Sequence, residues 1–200
     1  HAYVVAYLIE NGIIENAIAS DINKGPLENA RQTLIDCGIS EKTELILSDG
    51  LMSVPENSAD DIVVAGMGGI LISEILEKAP WIKNKDIHII AQPMTHAEIL
   101  RKWLCDNGFE IQREVASTDG KRVYVAISAF FTGKIHFFFD GYYYIGELKE
   151  NKDELSMMYI DKILNSLQKK YDARRSAGLE DEDGLQKIIS EINTLIGRKL

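Results

Sequence analysis

The sequence predicts an α/β fold in which helices flank a doubly wound, largely parallel sheet. Short apolar strands alternate with helical segments of about ten residues through the first two thirds of the chain. Each strand ends in polar residues or glycine, and a hairpin signature follows the last helix of the series. Sheets of this kind bind ligands at the carboxyl ends of their strands, so we expect a functional site there.

The individual elements follow from the spacing of apolar residues and from the residues that stop each run. Helices show apolar residues three and four positions apart, whereas strands show short apolar runs. Thr95, with Glu98 three positions later, has the spacing of a helix N-cap. The predicted order is helix 1–10, strand 17–20, helix 25–37, strand 44–48, strand 60–65, helix 70–76, strand 86–91 and helix 96–107.

A hairpin closes this series. Phe109–Ser117 and Arg122–Ala129 have the composition of strands, and Thr118-Asp119-Gly120-Lys121 between them is a turn signature. We expect the hairpin to add an antiparallel strand at one edge of the sheet.

The stretch from Asp61 to Leu71 is the most informative part of the chain. Its strand, Ile62–Ala65, runs directly into Gly66-Met67-Gly68-Gly69, and a helix begins at Ile70. This order of strand, glycines and helix leaves unpaired backbone N–H groups facing a ligand. The alternative is that the glycines only relieve crowding in a tight connection. The dinucleotide fingerprint G-x-G-x-x-G is not met, because Leu71 stands at its third glycine position.

Two carboxylates end neighbouring predicted strands, Asp21 in the first case and Asp49, followed by Gly50, in the second. An ionised carboxylate accepts two hydrogen bonds, so Asp21 can bind the two hydroxyls of a ribose. Asp49 can accept from an adenine amino group, and Gly50 lets the base approach the backbone. Helix capping by Asp21 and turn formation by Asp49 are the alternatives. Two acidic strand ends in succession favour a nucleoside cofactor.

The last third of the chain changes in composition. We interpret residues 1–130 as one domain, 131–146 as an aromatic connector and 147–200 as a coiled-coil-like helical hairpin. Gly178 marks the turn of the hairpin, and the acidic run 180–183 marks the start of its second helix. The aromatic residues can stack RNA bases, but packing of the hairpin against the sheet is the favoured interpretation.

Composition narrows the classes of partner. A net charge of −9 is unfavourable for a general nucleic-acid binder, although local basic patches can still contact RNA. The 2 cysteines and 4 histidines lack the paired spacing of a disulfide framework or a zinc site. No apolar run reaches the roughly 18 residues of a membrane span. We therefore predict a reducing, cytoplasmic environment, with no metal and no membrane.

Several short motifs, taken together, resemble a known family. They are His1-Ala2-Tyr3, Gly25-Pro26, Asp49-Gly50, Ala65-Gly66-Met67-Gly68-Gly69 and Gln92-Pro93. In this order they are similar to the bacterial tRNA (adenine-22-N1)-methyltransferase family, which also carries a C-terminal helical domain. The resemblance implies a Rossmann-like class I methyltransferase that uses S-adenosylmethionine to methylate N1 of one adenine in tRNA.

The chain also departs from the family pattern. In the family, an Asp-x-Gly-x-Asp segment that forms the first strand and its loop directly precedes His-Ala-Tyr. The chain begins at His1, so we expect this N-terminal strand to be missing here. The family usually has Asn after Gln-Pro, where Met94 stands in this sequence.

The resemblance also implies roles for individual residues. The cofactor-binding residues would be His1, Tyr3, Asp21, Ile22, Asp49, Gly50, Ala65, Gly66, Met67 and Gly69. The residues around the reacting base would be Gly66, Met67, Gly68, Gln92 and Pro93. No general base is required, because adenine N1 is a neutral nucleophile and the sulfonium is already activated.

Basic residues are the candidate contacts for tRNA, with a solvated surface as the alternative for each. The set comprises Arg101, Lys121, Arg122, Arg174 and Arg175.

Two other functions stay open at this point. One is an NAD(P)-dependent oxidoreductase with a Rossmann core, which Asp21 favours and the absent glycine fingerprint disfavours. The other is a non-catalytic module whose helical hairpin binds a protein partner.

Overall fold

The computed structural model describes residues 2–198, which form six strands and seven α-helices. The strands are β1 (Ala17–Asp21), β2 (Thr43–Leu47), β3 (Asp61–Gly68), β4 (His88–Thr95), β5 (Phe109–Asp119) and β6 (Arg122–Phe131). The helices are α1 (Tyr3–Glu10), α2 (Lys24–Asp36), α3 (Gly69–Glu77), α4 (Ala97–Asp106), α5 (Asp140–Ile145), α6 (Glu154–Ser176) and α7 (Leu185–Leu195). The alternation of strands and helices predicted from the sequence is confirmed.

The chain divides into two compact units. The first contains the residues up to Asp60 together with Glu74–Lys83, and the second contains Asp61–Ser73 together with the residues from Asn84 onward. The sequence-based boundaries at 130 and 146 do not coincide with this division, and the three-part domain assignment stays a prediction.

In the first unit, β1 and β2 form a parallel pair from Ala17 opposite Thr43 to Asp21 opposite Leu47. Helices α1 and α2 share a small apolar core, in which the buried residues are Ala6, Ile9, Leu34 and Ile39. Because the strands are parallel, Asp21 and the residues that follow Leu47 lie at the same edge.

In the second unit, the strand order is β3-β4-β6-β5. Strands β3 and β4 are parallel, whereas β6 is antiparallel to both β4 and β5. The predicted hairpin is confirmed, and it adds two strands to this sheet. The strands pair as two separate sheets, one in each unit, where the sequence suggested one.

The aromatic connector packs into the second unit. Tyr142 and Tyr143 in α5 are buried, and the Phe138 ring stacks on the Tyr142 ring with a centroid distance of 3.9 Å. Phe137 remains 83% exposed. Packing, the favoured interpretation of this segment, therefore holds for its tyrosines.

Helices α6 and α7 form the predicted helical hairpin. The Asp153 carboxylate caps α6 by accepting from the Ser156 backbone N–H (2.9 Å) and hydroxyl (2.6 Å). These hydrogen bonds lower the pKa of Asp153. The acidic run acts as expected at the start of α7, where the Asp181 carboxylate accepts from the backbone N–H groups of Leu185 and Gln186. The coiled-coil description stays a prediction.

A buried ion pair connects the sheet with the segment that precedes the hairpin. Arg101 on α4 and Glu114 on β5 are both 0% exposed, and Arg101 Nε donates to Glu114 Oε1 at 2.7 Å. Arg101 Nη1 also donates to the carbonyls of Tyr143 and Tyr144, each at 2.9 Å. Burial lowers the pKa of Arg101, but Glu114 and Tyr159 together raise it above its ordinary value, so the guanidinium stays charged.

Glycine is required beside this pair. Gly146 has a φ of 56°, and a Cβ at this position would overlap the Glu114 carboxylate. The other Glu114 oxygen accepts from the Glu147 backbone N–H at 2.8 Å. The carboxylate is thus enclosed by backbone and guanidinium donors.

Along residues 2–198, no helix combines the length and the hydrophobicity needed to cross a membrane.

We predict that Arg101→Met destabilises the protein by about 3–5 kcal/mol, because it leaves the Glu114 charge buried without its partner. Urea unfolding measures this change. The matched control is Lys102→Met, since the neighbouring Lys102 is exposed and its pair with Asp106 is worth at most about 1 kcal/mol. Equal losses in the two variants would contradict the prediction.

Candidate functional site

Asp21 ends β1 and forms a local turn. Its Oδ1 accepts from the Asn23 backbone N–H at 2.8 Å, which occupies one of the two carboxylate oxygens. The following residue, Ile22, is 61% exposed. The turn-forming role and a ligand-binding role are therefore compatible, because a carboxylate has several acceptor positions.

Asp49 and Gly50 follow the end of β2. Asp49 Oδ2 pairs with Lys78 Nζ at 3.0 Å, and both side chains are about half exposed. Such a pair contributes little to stability, so the carboxylate can exchange partners readily. Gly50 has a φ of 59°, and a Cβ there would lie 2.7 Å from Ile75 Cγ2. Sequence analysis did not identify Lys78, because nothing in the local pattern links it to a residue 29 positions earlier.

The glycine segment is where β3 ends and α3 begins. The strand continues through Gly68, three residues further than predicted, and the helix begins at Gly69. Gly66 has a φ of 79°, and its backbone N–H donates to Gln92 Oε1 on β4 at 3.0 Å. The pairing register shifts between Ala65 and Met67.

Two of these glycines allow a close approach to β4. A Cβ on Gly69 would overlap the His96 carbonyl oxygen, and a Cβ on Gly68 would lie 3.2 Å from Thr95 Oγ1. The crowding alternative from the sequence analysis is therefore correct for Gly69. It does not exclude a binding role for Gly66, where a Cβ would meet no atom within 4 Å.

The end of β4 carries a second polar group. Gln92 Nε2 donates to the Pro93 carbonyl at 3.3 Å and to Met94 Sδ at 3.6 Å. The Met67 and Met94 side chains are 38% and 41% exposed. The end of β4 therefore combines one side-chain amide with an exposed thioether.

The predicted N-cap at Thr95 is wrong. Thr95 is the last residue of β4, and the N-cap position of α4 is His96, with a left-handed φ of 54°. His96 Nδ1 lies 3.0 Å from Glu98 Oε1. The strand runs further than predicted because Thr95 still pairs with Gly68.

The basic residues separate into buried and exposed groups. The structure contradicts a tRNA contact by Arg101, because its side chain is fully buried against Glu114. Lys121, Arg122 and Arg175 are exposed. Arg174 is partly buried and pairs with Asp183 and Glu182, so its charge is compensated locally.

The N-terminal residues are only partly described. Tyr3 lies in the first turn of α1 and is 72% exposed. His1 lies outside the described residues, so its role as a cofactor contact stays a prediction.

A further polar cluster lies at the opposite ends of β3 and β4. His88 Nδ1 lies 2.8 Å from Asp61 Oδ1, and His88 Nε2 lies 2.8 Å from Ser128 Oγ. The order of groups matches a hydrolase triad. However, Ser128 lies within β6, and the imidazole is stacked on Phe130 at 4.3 Å. We interpret this cluster as a bridge that joins three adjacent strands.

The remaining reactive groups are the potential metal ligands and the two cysteines. Within residues 2–198, no three His, Cys, Asp or Glu side chains are grouped to hold a metal ion. Cys37 and Cys105 are free thiols. Burial and the nearby carboxylates raise the pKa of Cys105 to about 12, so this thiol stays protonated at neutral pH.

Comparisons with known proteins identify the family of the chain. The sequence profile of the family described as a methyltransferase domain matches residues 1–127. The chain is 32% identical over 129 residues to the curated tRNA (adenine(22)-N(1))-methyltransferase of Bacillus subtilis. The aligned segment covers 64% of this chain and 54% of the relative. The chain thus spans about half the length of the curated relative that it matches.

Solved structures extend the similarity to nearly the whole chain. The Bacillus subtilis m1A22 tRNA methyltransferase TrmK has a TM-score of 0.78 at 26% identity, over 98% of this chain and 86% of that one. A Streptococcus pneumoniae protein in complex with S-adenosyl-L-methionine has a TM-score of 0.82 at 27% identity, over 98% and 88% of the two chains.

Strand ends that carry carboxylates, in the first unit, and glycines, in the second, are typical of α/β folds that bind ligands at these ends. The chain belongs to the methyltransferase domain family, whose profile covers well over half of it. It has the Rossmann-like methyltransferase fold, followed by a helical hairpin. The resemblance identified from the sequence is thereby confirmed.

We predict that Gly69→Ala lowers the free energy of unfolding by about 1–3 kcal/mol, because the new methyl group overlaps the His96 carbonyl. The matched control is Gly68→Ala, whose methyl group meets only a rotatable hydroxyl. We expect a smaller loss there in chemical denaturation. A larger loss of stability for Gly68→Ala than for Gly69→Ala would contradict the importance of the contact with the His96 carbonyl.

Proposed function

We propose that the protein transfers the methyl group of S-adenosylmethionine to N1 of the adenine at position 22 of tRNA. The observation that carries the proposal is the glycine-rich end of β3. There, the Gly66 backbone N–H donates a hydrogen bond to the Gln92 side chain on β4. Both residues fall within residues 1–127, which match the methyltransferase domain family. The S-adenosyl-L-methionine complex of a similar structure supports the choice of cofactor.

The strand ends of the first unit suit the nucleoside of this cofactor. Asp21 would accept from the ribose hydroxyls and Asp49 from the adenine amino group, with Ile22 beside them. Gly50 packs against Ile75, which explains why a side chain does not fit there, and the approach of the base to its backbone stays a prediction. Tyr3 and His1 would border the methionine end.

The strand ends of the second unit suit the reacting groups. Ala65, Gly66, Met67 and Gly69 would lie beside the sulfonium, and Gly66, Met67, Gly68, Gln92 and Pro93 would surround the target base. When bound, S-adenosylmethionine supplies an activated methyl group on a positively charged sulfur. The residues around it need only hold the adenine in line with that group and exclude water.

Charge and proton balance explain why no general base is proposed. The N1 lone pair forms the new N–CH3 bond, the S–CH3 bond breaks, and the positive charge moves from sulfur to the base. No proton has to leave N1. Since N1 lies on the Watson–Crick edge, the adenine must be unpaired or flipped out of a helix before it reacts.

Local basic residues would hold the tRNA in spite of the net charge of −9. Lys121 and Arg122 at the tip of the β5–β6 hairpin and Arg175 at the end of α6 are the exposed candidates. Arg174 is a weaker candidate, because Asp183 and Glu182 already neutralise it. A cytoplasmic location follows from a tRNA substrate.

Two alternatives are less well supported. An NAD(P)-dependent oxidoreductase would share the acidic strand end, but the family match is to a methyltransferase domain. A purely non-catalytic module would not explain the carboxylate and glycine strand ends. Parallel calorimetric titrations with S-adenosylmethionine and NAD separate these alternatives.

We expect Asp49→Asn to weaken S-adenosylmethionine binding about tenfold in the full-length protein, because an amide accepts more weakly than a carboxylate. Isothermal calorimetry measures the change. Glu41→Gln, which removes an exposed carboxylate at the opposite end of β2, is the control and should bind as tightly as the wild type. Unchanged binding in Asp49→Asn would refute the assigned role of Asp49.

We expect the double variant Lys121→Glu and Arg122→Glu to reduce tRNA affinity and to lower its dependence on salt concentration. Each lost phosphate contact should reduce the slope of log K against log salt by about 1. Filter binding at several salt concentrations measures both quantities. Lys24→Glu on α2 is a control with similar exposure. Equal losses in control and variant would indicate a nonspecific charge effect.

A further inference from the structure

The orientation of the Gln92 side-chain amide is fixed by its neighbour on β3. Gln92 Oε1 accepts from the Gly66 backbone N–H at 3.0 Å. A backbone N–H can only donate, so the oxygen and not the nitrogen of the amide must face it. The amide nitrogen is therefore directed away from Gly66.

This nitrogen has two N–H groups, and both of its hydrogen bonds are long. One contact is the Pro93 carbonyl at 3.3 Å, and the other is the Met94 thioether at 3.6 Å. A thioether is a weak acceptor, so a stronger acceptor can replace it at little cost. The end of β4 thus presents a side-chain hydrogen-bond donor beside the exposed Met67 and Met94 side chains.

We propose that Gln92 recognises the target adenine by donating a hydrogen bond to a ring nitrogen other than N1, while its oxygen fixes Gly66. This inference rests on the proposed function and specifies how the same site reads its substrate. Adenine offers N3 and N7 as further acceptors, whereas its N6 amino group donates. Gln92 Oε1 accepts from Gly66, and the Gln92 amide nitrogen supplies the donor for the ring nitrogen.

Met94 contributes to the same recognition. Its side chain is apolar and lies next to the donor, so it can pack against the face of a base but cannot compete with a ring nitrogen for the N–H group. Gln92 alone would then supply the polar contact from this strand end. Met94 stands at the position where the sequence departs from its family.

The first test separates the two functions of the amide. Gln92→Glu keeps an acceptor for the Gly66 N–H but cannot donate when ionised, whereas Gln92→Met loses both functions. We expect Gln92→Glu to bind S-adenosylmethionine within about twofold of the wild type and to lose about tenfold in kcat/KM for tRNA. Gln112→Glu, the same substitution at an exposed residue of β5, is the control and should retain wild-type kcat/KM.

The second test identifies the atom of the base. tRNA carrying 7-deazaadenosine or 3-deazaadenosine at the target position removes N7 or N3 one at a time. We expect one of the two substrates to lose about tenfold in kcat/KM with the wild type and to lose nothing further with Gln92→Glu. Comparing the enzymes on the same substrate cancels the effect of the substitution on the basicity of N1.

The possible results are distinguishable. Methylation of both deaza substrates at the wild-type rate, or losses that simply add in Gln92→Glu, would overturn the role of Gln92 and leave the proposed function intact. Failure of the full-length wild-type protein to methylate adenine-containing tRNA, while it still binds S-adenosylmethionine, would overturn the proposed function itself.

Discussion

The ends of β3 and β4 approach each other so closely that a side chain cannot fit between them at Gly69. The close approach occurs where β3 ends at Gly68 and α3 begins at Gly69. The hydrogen bond from the Gly66 backbone N–H to the Gln92 side chain joins the same two strands three residues before Gly69. Within the glycine segment, Gly69 is needed for packing, whereas Gly66 has open space around it and stays the candidate for ligand binding.

The buried pair of Arg101 and Glu114 shows why charge alone is a poor guide to an RNA-binding surface. In the sequence, Arg101 stands beside Lys102 in a basic doublet on a helix and is a candidate tRNA contact. In the structure, successive helix residues point in different directions, so one is enclosed and the other is exposed. The partner of Arg101 comes from β5, and local sequence carries no sign of it.

Sequence analysis predicted the order of elements, because short apolar runs and their terminating residues are local signals, while the role of the strand ends stays a prediction. It failed where tertiary contacts decide. Thr95 has the spacing of a cap, yet pairing with Gly68 keeps it in the strand and places His96 in a left-handed conformation. Lys78 reaches Asp49 only through the fold. The aromatic connector was predictable as packing, but not the division between buried Tyr142 and exposed Phe137.

Helix α4 fixes the separation between the strand end that carries Gln92 and the segment that precedes the helical hairpin. It starts directly after β4, and Arg101, near its middle, donates to the carbonyls of Tyr143 and Tyr144. A helix of 10 residues is about 15 Å long and does not shorten or bend easily. Under the proposed function, an RNA that contacted both the hairpin and the end of β4 would have to reach across this fixed separation.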